Sequence, residues 1–445
     1  MTDFPFENRI WDSAETMPRD ELEQLQLSRL KDLVVRLQNV PFYKRAFTEA
    51  GISPDDIRSL DDLRRLPMTT KADLRENYPL GFLAVGRDKL ARIHGSSGTT
   101  GKPTFVAYTP GDLELWANLC ARFLVSGGLR SEHTVQIAFG YGLFTGGFGL
   151  HYGVEKVGSA IVPAAAGNTQ RQIMLMRDLQ TDVLVCTPSY ALTIAEAAQA
   201  AGLDPKDLPP RFGHFGAEPW TEDMRREIES RLGLLAFNNY GLSEVIGPGV
   251  SGECGLRDGM HVQEDHFIIE CLDPDTLEPV AEGEQGELVI TTLTKEAFPV
   301  LRYRTRDIAR LDRSPCDCGR TGVRMSRVVG RTDDMLIIRG VNVFPSQIEE
   351  ALLRVEGTAP HYMIEVDRPG TLDVATVRVE VREQDFSDKM SQMQALRDRI
   401  DREIQSITGI RMNVELIEPQ TLERFVGKAK RVIDHRVKDP PPVSP

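Results

Sequence analysis

Arg92-Ile93-His94-Gly95-Ser96-Ser97-Gly98-Thr99-Thr100-Gly101-Lys102-Pro103 is the stretch from which the rest of the chain can be read. Its glycines let the backbone curl until several N–H groups converge on one anion. The hydroxyls of Ser96, Ser97, Thr99 and Thr100 add donors, and Lys102 adds a positive charge. The stretch is a candidate phosphate-binding loop. It is not a Walker A loop, G-x-x-x-x-G-K-[ST]. Ser96 stands where the first glycine should be, and Pro103 stands where a magnesium-binding hydroxyl should follow the lysine.

Downstream of the loop, short apolar runs at Val135–Phe139, Ala160–Pro163 and Val183–Thr187 alternate with amphipathic segments. That alternation predicts βαβ units and a parallel sheet, so the fold class is α/β. Upstream, Leu22, Leu25, Leu30, Leu33, Val34 and Leu37 form a helical stripe. Residues 1–90 are thus expected to be a helical N-terminal segment, followed by an α/β core over 91–260. Farther on, Phe267–Cys271, Gly286–Thr292 and Ile308–Asp312 read as strands joined by Pro/Gly turns with no helix between them. They predict a small β subdomain over 261–332, completing a large N-terminal domain over 1–332. Residues 333–438 predict a small C-terminal α/β domain. Its strands are expected at Met335–Ile338, Thr376–Val381 and Asn413–Ile417. Its helices are expected at Ser346–Val355 and along Met390, Met393, Leu396, Ile400, Ile404 and Ile407. Pro440-Pro441-Pro442 marks a flexible tail over 439–445.

The 445 residues carry 53 Lys and Arg against 66 Asp and Glu, a net charge of −13. This acid excess argues against general binding to nucleic acid or anionic membrane. No run approaches the roughly 18 apolar residues of a membrane span. Met-Thr-Asp-Phe-Pro-Phe-Glu lacks the basic and apolar regions of a secretory signal. Six cysteines are too sparse for a disulfide scaffold. A cytoplasmic, acidic protein is expected. Cys120, Cys186 and Cys271 lie in apolar runs and are expected in the core. Cys316-Asp317-Cys318-Gly319 is different. A C-x-C turn has few uses inside a cell besides metal or redox chemistry. With Cys254 and His261 it makes a Cys₃His set that zinc accepts tetrahedrally. Such a zinc would be structural, tying the β subdomain to the loop after Glu244; ordinary half-buried thiols are the alternative.

Ser96–Pro103 resembles the phosphate loop of the acyl-adenylate-forming superfamily, which includes acyl–coenzyme A synthetases, luciferases and peptide-synthetase adenylation domains. Further motifs follow in that superfamily's order. Tyr240-Gly241-Leu242-Ser243-Glu244 resembles Y-G-x-[ST]-E. Tyr303-Arg304-Thr305-Arg306-Asp307 resembles Y-x-T-x-D. Gly330-Arg331-Thr332-Asp333-Asp334, with Gly340 after it, resembles the hinge motif, and Gly427-Lys428 the final lysine motif. Tyr141–Gly147, Phe215–Trp220 and Arg339–Pro345 resemble phenylacetate–coenzyme A ligases in particular.

The resemblance implies a mobile C-terminal domain and a two-step reaction with ATP, Mg²⁺ and coenzyme A. A carboxylate attacks ATP to give acyl-AMP, and coenzyme A then displaces AMP. Ser96, Ser97, Gly98, Thr99, Thr100, Gly101 and Lys102 would hold the β- and γ-phosphates. Glu244 would hold magnesium beside Ser243, since a hard cation prefers carboxylate oxygen. Tyr240 would stack on adenine, with Asn239 and Gly241 beside it in the nucleotide set. The turn Gly216-Ala217-Glu218-Pro219 would pass along the adenine edge. Asp307 and Arg331 would hold the ribose, and Lys428 would offset charge at the α-phosphate and carboxylate. Asp333 would be the hinge. Phe139, Tyr141, Gly142, Phe144 and Gly216 would line the acid pocket, with Gly140, Gly146, Gly147 and Gly149 leaving room.

That pocket suits an aromatic ring. Phe139 stands where close relatives are expected to carry tyrosine, and Phe148 where a smaller aliphatic is common. The stretch Thr421–Val426 lacks the superfamily's usual proline, which leaves Lys430 as an alternative catalytic lysine. Phenylacetate is the expected acid. Anthranilate, hydroxybenzoate and indoleacetate are alternatives, as are loading of a carrier protein and a non-catalytic regulator. A homodimer is left open.

Overall fold

The computed structural model describes residues 7–96, 103–339, 341–369, 372–387, 389–424 and 430–436. The chain divides into two compact units, Met1–Ala217 with Ile228–Val328, and Glu218–Glu227 with Val329–Pro445.

Among the described residues, the largest sheet of the first unit has nine strands. Its spatial order is Leu311–Asp312, Arg324–Met325, Met260–Val262, Gly247–Glu253, Leu235–Leu242, Phe212–Phe215, Val183–Cys186, Thr134–Ile137 and Ala160–Val162. The last five strands pair in parallel, and the others join antiparallel. Val183–Cys186 is buried along its whole length, as a strand covered on both faces must be. The chain visits Thr134–Ile137 first, crosses outward to Ala160–Val162, then returns to Val183–Cys186 on the other side. Such a reversal marks the carboxyl ends of these strands, the position where open α/β sheets take their ligands.

Two helices, Pro110–Ser126 and Thr145–Val157, pack closely because glycine lets them. A Cβ on Gly149 would lie 2.4 Å from the Trp116 ring, and one on Gly153 would lie 2.4 Å from Cys120. The N-terminal helix Arg19–Leu37 buries Leu22, Leu30, Leu33, Val34 and Leu37 of the expected stripe and leaves Leu25 half-buried. The predicted strand Ile308–Asp312 is corrected. Tyr303–Ala309 pairs with Gly286–Thr292, while Leu311–Asp312 joins the long sheet. Cys271 is also corrected: it is half-buried, whereas Cys120 and Cys186 are buried.

The second unit carries a four-stranded sheet in the order Asn413–Ile417, Val374–Val381, Thr358–Asp367, Val432–Asp434. Helices Pro345–Arg354 and Met390–Thr408 bury Ile348, Leu352, Ile400 and Ile404 in one core with Ile364 and Val377. The inner strand Thr358–Asp367 escaped the sequence reading because it contains Pro360, which normally demotes a strand. The pairing register shifts between Thr358 and Tyr362, and the strand accommodates the proline there. Among the described residues no helix is long and apolar enough to cross a membrane.

His214 lies inside the parallel sheet, with both ring nitrogens buried and without a hydrogen-bond partner, stacked on Phe237 at 5.6 Å. Burial pushes its pKa from 6.5 down to about 3. A depressed folded pKa means the unfolded chain binds the extra proton first. Stability is therefore complete above pH 6.5 and is lost as pH falls toward 3, by about 1.4 kcal/mol per unit. Melting temperature measured between pH 7 and 5 is expected to fall more steeply in the wild type than in His214→Leu. Parallel curves would mean that His214 is not the responsible group.

Candidate active site

Several candidate residues lie in or just after the carboxyl ends of the parallel strands. Phe212–Phe215 delivers Gly216 and Ala217, Leu235–Leu242 delivers Asn239 and Tyr240, and Thr134–Ile137 delivers Phe139 and Tyr141. Asn239 Nδ2 donates to the Phe215 carbonyl at 2.9 Å, bridging neighbouring strands. Only glycine fits beside it, because a Cβ on Gly216 would come within 2.8 Å of the Asn239 carbonyl oxygen. Ala217 takes a left-handed backbone with φ 70°, a strain that such sites tolerate. Glu218 and Pro219 belong to the second unit.

Tyr240 and Asp307, distant in sequence, meet directly. The phenol donates to Asp307 Oδ2 at 2.6 Å, and the Asp307 N–H donates to Thr305 Oγ1 at 3.0 Å. The neighbouring arginines are engaged elsewhere: Arg302 pairs with Glu270 at 2.9 Å and Arg304 with Glu287 at 2.5 Å. Ser243 shares a 2.9 Å hydrogen bond with Thr145, at the start of the helix Thr145–Val157. Gly241 sits at a bulge against Gly247.

Glu244 is buried. Its Oε1 has no hydrogen-bond donor aligned on it, although the Lys71 ammonium stands 3.2 Å away. Its carboxylate chemistry fits a hard cation such as magnesium, which would have to displace the Lys71 ammonium. Sequence reading missed two cations here. Lys71 opens the short helix Lys71–Glu76, whose Thr70–Asp73 capping box signals the helix start but not the contact with Glu244. Lys295 is fully buried, donates to the Val245 carbonyl at 2.9 Å, and lies 4.7 Å over the Tyr108 ring. Burial lowers its pKa to about 8, against the pull of Asp112 and Glu244.

Ser96, the one described residue of the candidate phosphate loop 96–102, is held by Thr104. Its N–H donates to the Thr104 carbonyl at 2.9 Å, and its hydroxyl accepts from the Thr104 N–H at 3.1 Å. The strands Arg92–Gly95 and Phe105–Tyr108 pair antiparallel below it. Ser97, Gly98, Thr99, Thr100, Gly101 and Lys102 lie outside the described residues, as do Gly340, Gly427 and Lys428. In the second unit, Arg331 pairs with Asp333 through two hydrogen bonds of 2.9 and 3.0 Å.

Among the expected pocket residues, Phe139 is buried, while Tyr141 and Phe144 are half-buried. Tyr141 meets Phe148 edge to face at 5.2 Å, and its hydroxyl lies 3.2 Å from His151 Nδ1. Burial pushes that phenol up to about 12, so it stays neutral. The reading of the glycines is corrected in part. Gly140 and Gly142 have nothing within 4 Å of an added Cβ, so space exists there. Gly147 abuts the Gly140 carbonyl, Gly146 abuts the Phe144 ring, and Gly149 serves the contact with Trp116.

Cys254, His261, Cys316 and Cys318 place their ligand atoms within 4.8 Å of one another. Cys254 Sγ and Cys316 Sγ are 4.0 Å apart, and Cys318 Sγ is 3.3 Å from His261 Nε2. Zinc–sulfur bonds of about 2.3 Å in a tetrahedron require sulfurs about 3.8 Å apart. The set fits zinc with no ligand position left open. A hydrogen bond from Cys254, with help from His261, holds the Cys318 thiol down, while the same hydrogen bond and burial push the Cys254 thiol up.

Comparison with known proteins agrees with this geometry. The AMP-binding enzyme family matches residues 26–294, and the AMP-binding enzyme C-terminal domain matches residues 340–436. A phenylacetate–coenzyme A ligase of Thermus thermophilus is 50% identical over 437 residues, covering 95% of this chain and 98% of that protein. One from Escherichia coli (strain K12) is 49% identical over 432 residues, covering 96% and 98%. The crystal structure of a 2-hydroxyisobutyryl-CoA ligase in the postadenylation state, bound to an acyl-AMP, superposes with a TM-score of 0.92 at 29% identity. It covers 98% of this chain and 95% of that one. Fold and site together define an enzyme that activates a carboxylate as its adenylate. The chain belongs to the AMP-binding enzyme family, among the AMP-forming acid–thiol ligases of the phenylacetate–coenzyme A ligase group.

Proposed function

We propose that the protein joins phenylacetate to coenzyme A in the cytoplasm, through phenylacetyl-AMP. The carrying observation is the direct contact of Tyr240 with Asp307 and of Gly216 with Asn239, in a chain half identical to phenylacetate–coenzyme A ligases. A carboxylate oxygen attacks the α-phosphorus of ATP. The bond to the β-phosphate breaks, and pyrophosphate leaves. The coenzyme A sulfur then attacks the acyl carbonyl, the thiol proton is lost, and AMP leaves with its phosphate oxygen.

In this reading Tyr240 flanks the adenine and Asp307 accepts from the ribose hydroxyls. Ser96–Lys102 holds the β- and γ-phosphates. Glu244 holds magnesium, which offsets phosphate charge when bound. Lys428 stabilises the charge that builds between the carboxylate and the α-phosphate. Arg331 reaches the nucleotide after leaving Asp333, and Asp333 is the hinge on which the C-terminal domain turns. Cys254, His261, Cys316 and Cys318 hold a structural zinc.

The pocket has aromatic faces, and Phe139 offers no hydroxyl. An unmet polar group costs more than an imperfect apolar fit. An acid panel read by pyrophosphate release is expected to give phenylacetate the highest kcat/KM, ahead of 4-hydroxyphenylacetate. Straight-chain fatty acids should be poor, and acetate poorer still. If the hydroxylated acid, anthranilate or a medium-chain fatty acid wins by tenfold or more, phenylacetate is the wrong substrate.

A further inference from the structure

The Leu143 side chain is exposed, but its carbonyl accepts two hydrogen bonds. The Gly95 N–H donates at 2.8 Å and His94 Nδ1 at 3.0 Å. A carbonyl only accepts, so the imidazole proton sits on Nδ1 and Nε2 keeps its lone pair. That Nε2 is buried, with no hydrogen-bond partner among the described residues. Rings enclose it: Tyr108 at 5.6 Å and Trp116 at 5.7 Å, both edge to face, and Phe148 at 5.6 Å. Burial keeps the imidazole below its ordinary range and so neutral, and Arg92 and Lys295 push the same way against the hydrogen bond to Leu143. A buried nitrogen left unpaired costs stability that an apolar ring would not cost. The use of the histidine therefore lies in its other nitrogen.

His94 also reaches Tyr141 through packing. Phe148 touches both rings, 5.6 Å from His94 and edge to face with Tyr141 at 5.2 Å. The Tyr141 hydroxyl is held in turn by His151 Nδ1 at 3.2 Å, and His151 Nε2 stands 3.2 Å from Glu155. Between Tyr141 and Leu143, Gly142 takes φ 123°, with nothing within 4 Å of an added Cβ. A glycine there leaves the backbone free to turn, so the loop needs fixing from outside. We propose that His94 is a positioning residue for the acid pocket: by gripping the Leu143 carbonyl and Phe148 it sets where Tyr141 and Phe144 stand. The proposal rests on Tyr141 and Phe144 lining that pocket. Side chains that meet a substrate hold their geometry only when neighbours of this kind lock them.

Steady-state kinetics of full-length His94→Phe, His94→Asn and His94→Gln test this. Phenylalanine keeps a ring and loses the Nδ1–H. The KM for phenylacetate is expected to rise about 3- to 10-fold, the scale of one neutral hydrogen bond, with the KM for ATP within about twofold of the wild type. The asparagine amide N–H falls where the Nδ1–H was and should restore part of the loss. The glutamine amide falls where Nε2 was and should not. A role in folding alone would not separate the two amides. If His94→Phe fails to fold, the contrast between asparagine and glutamine carries the test. Equal rises in both KM values, or asparagine no better than glutamine, would overturn the proposal. Tyr141→Ala separates it from the pocket reading. If that variant leaves the acid KM unchanged, Tyr141 is not in the pocket and the proposal falls with that reading. If it raises the acid KM while His94→Phe does not, the role of His94 alone is refuted.

Discussion

Lys428→Ala is expected to lower acyl-AMP formation by about 10²–10³, the scale of removing one preorganised charge-stabilising donor. Thioester formation from supplied acyl-AMP should survive, because that step develops its charge on the carbonyl and the departing AMP. Asp333→Pro is expected to do the reverse. If Asp333 is the hinge, fixing φ there restricts rotation of the C-terminal domain and so strikes the second step. Rapid-quench measurement of both half-reactions in both variants checks the pair. Equal loss in both steps for Lys428→Ala would remove it as the adenylation lysine. Intact thioesterification in Asp333→Pro would remove Asp333 as the hinge.

Cys316→Ser is expected to abolish metal binding and to lower the melting temperature by at least about 5 °C, the shift that a few kcal/mol produces in a chain of this size. The consequence reaches the N-terminal segment. The Cys318 carbonyl accepts from Asn8 Nδ2 at 2.5 Å, and Arg320 donates to Asn8 Oδ1 at 3.1 Å and pairs with Glu15 at 2.6 Å. Elemental analysis of enzyme prepared without chelator or metal-affinity resin should find about one zinc per chain. Hydrogen exchange should quicken over residues 8–16 in the variant. A metal-free protein of full stability would exclude the zinc.

Much of this was legible in the sequence for a physical reason. Phosphate, ribose and metal chemistry need particular side chains at fixed local spacing, so Tyr240, Glu244 and Asp307 could be picked out of short motifs. The C-x-C turn was equally local, and the partners Cys254 and His261 lay close to one another in sequence. What stayed hidden depended on packing between distant segments. Nothing near Lys71 announces that its ammonium meets Glu244, and nothing near Lys295 announces that it is buried under Tyr108. Gly149 read as pocket space because a glycine's reason lies in its neighbour, which here is the Trp116 ring. The strand Thr358–Asp367 was hidden by Pro360, whose cost is absorbed by a register shift that only the paired strand reveals.

The central claim is that phenylacetate is activated as an adenylate before coenzyme A is used. Mass spectrometry of a single turnover tests it directly. Enzyme mixed with Mg·ATP and phenylacetate alone should accumulate phenylacetyl-AMP and release one pyrophosphate per site. Added coenzyme A should then convert that intermediate to phenylacetyl–coenzyme A and AMP. Release of ADP and phosphate, or thioester formed with no adenylate detectable at any time, would contradict the account.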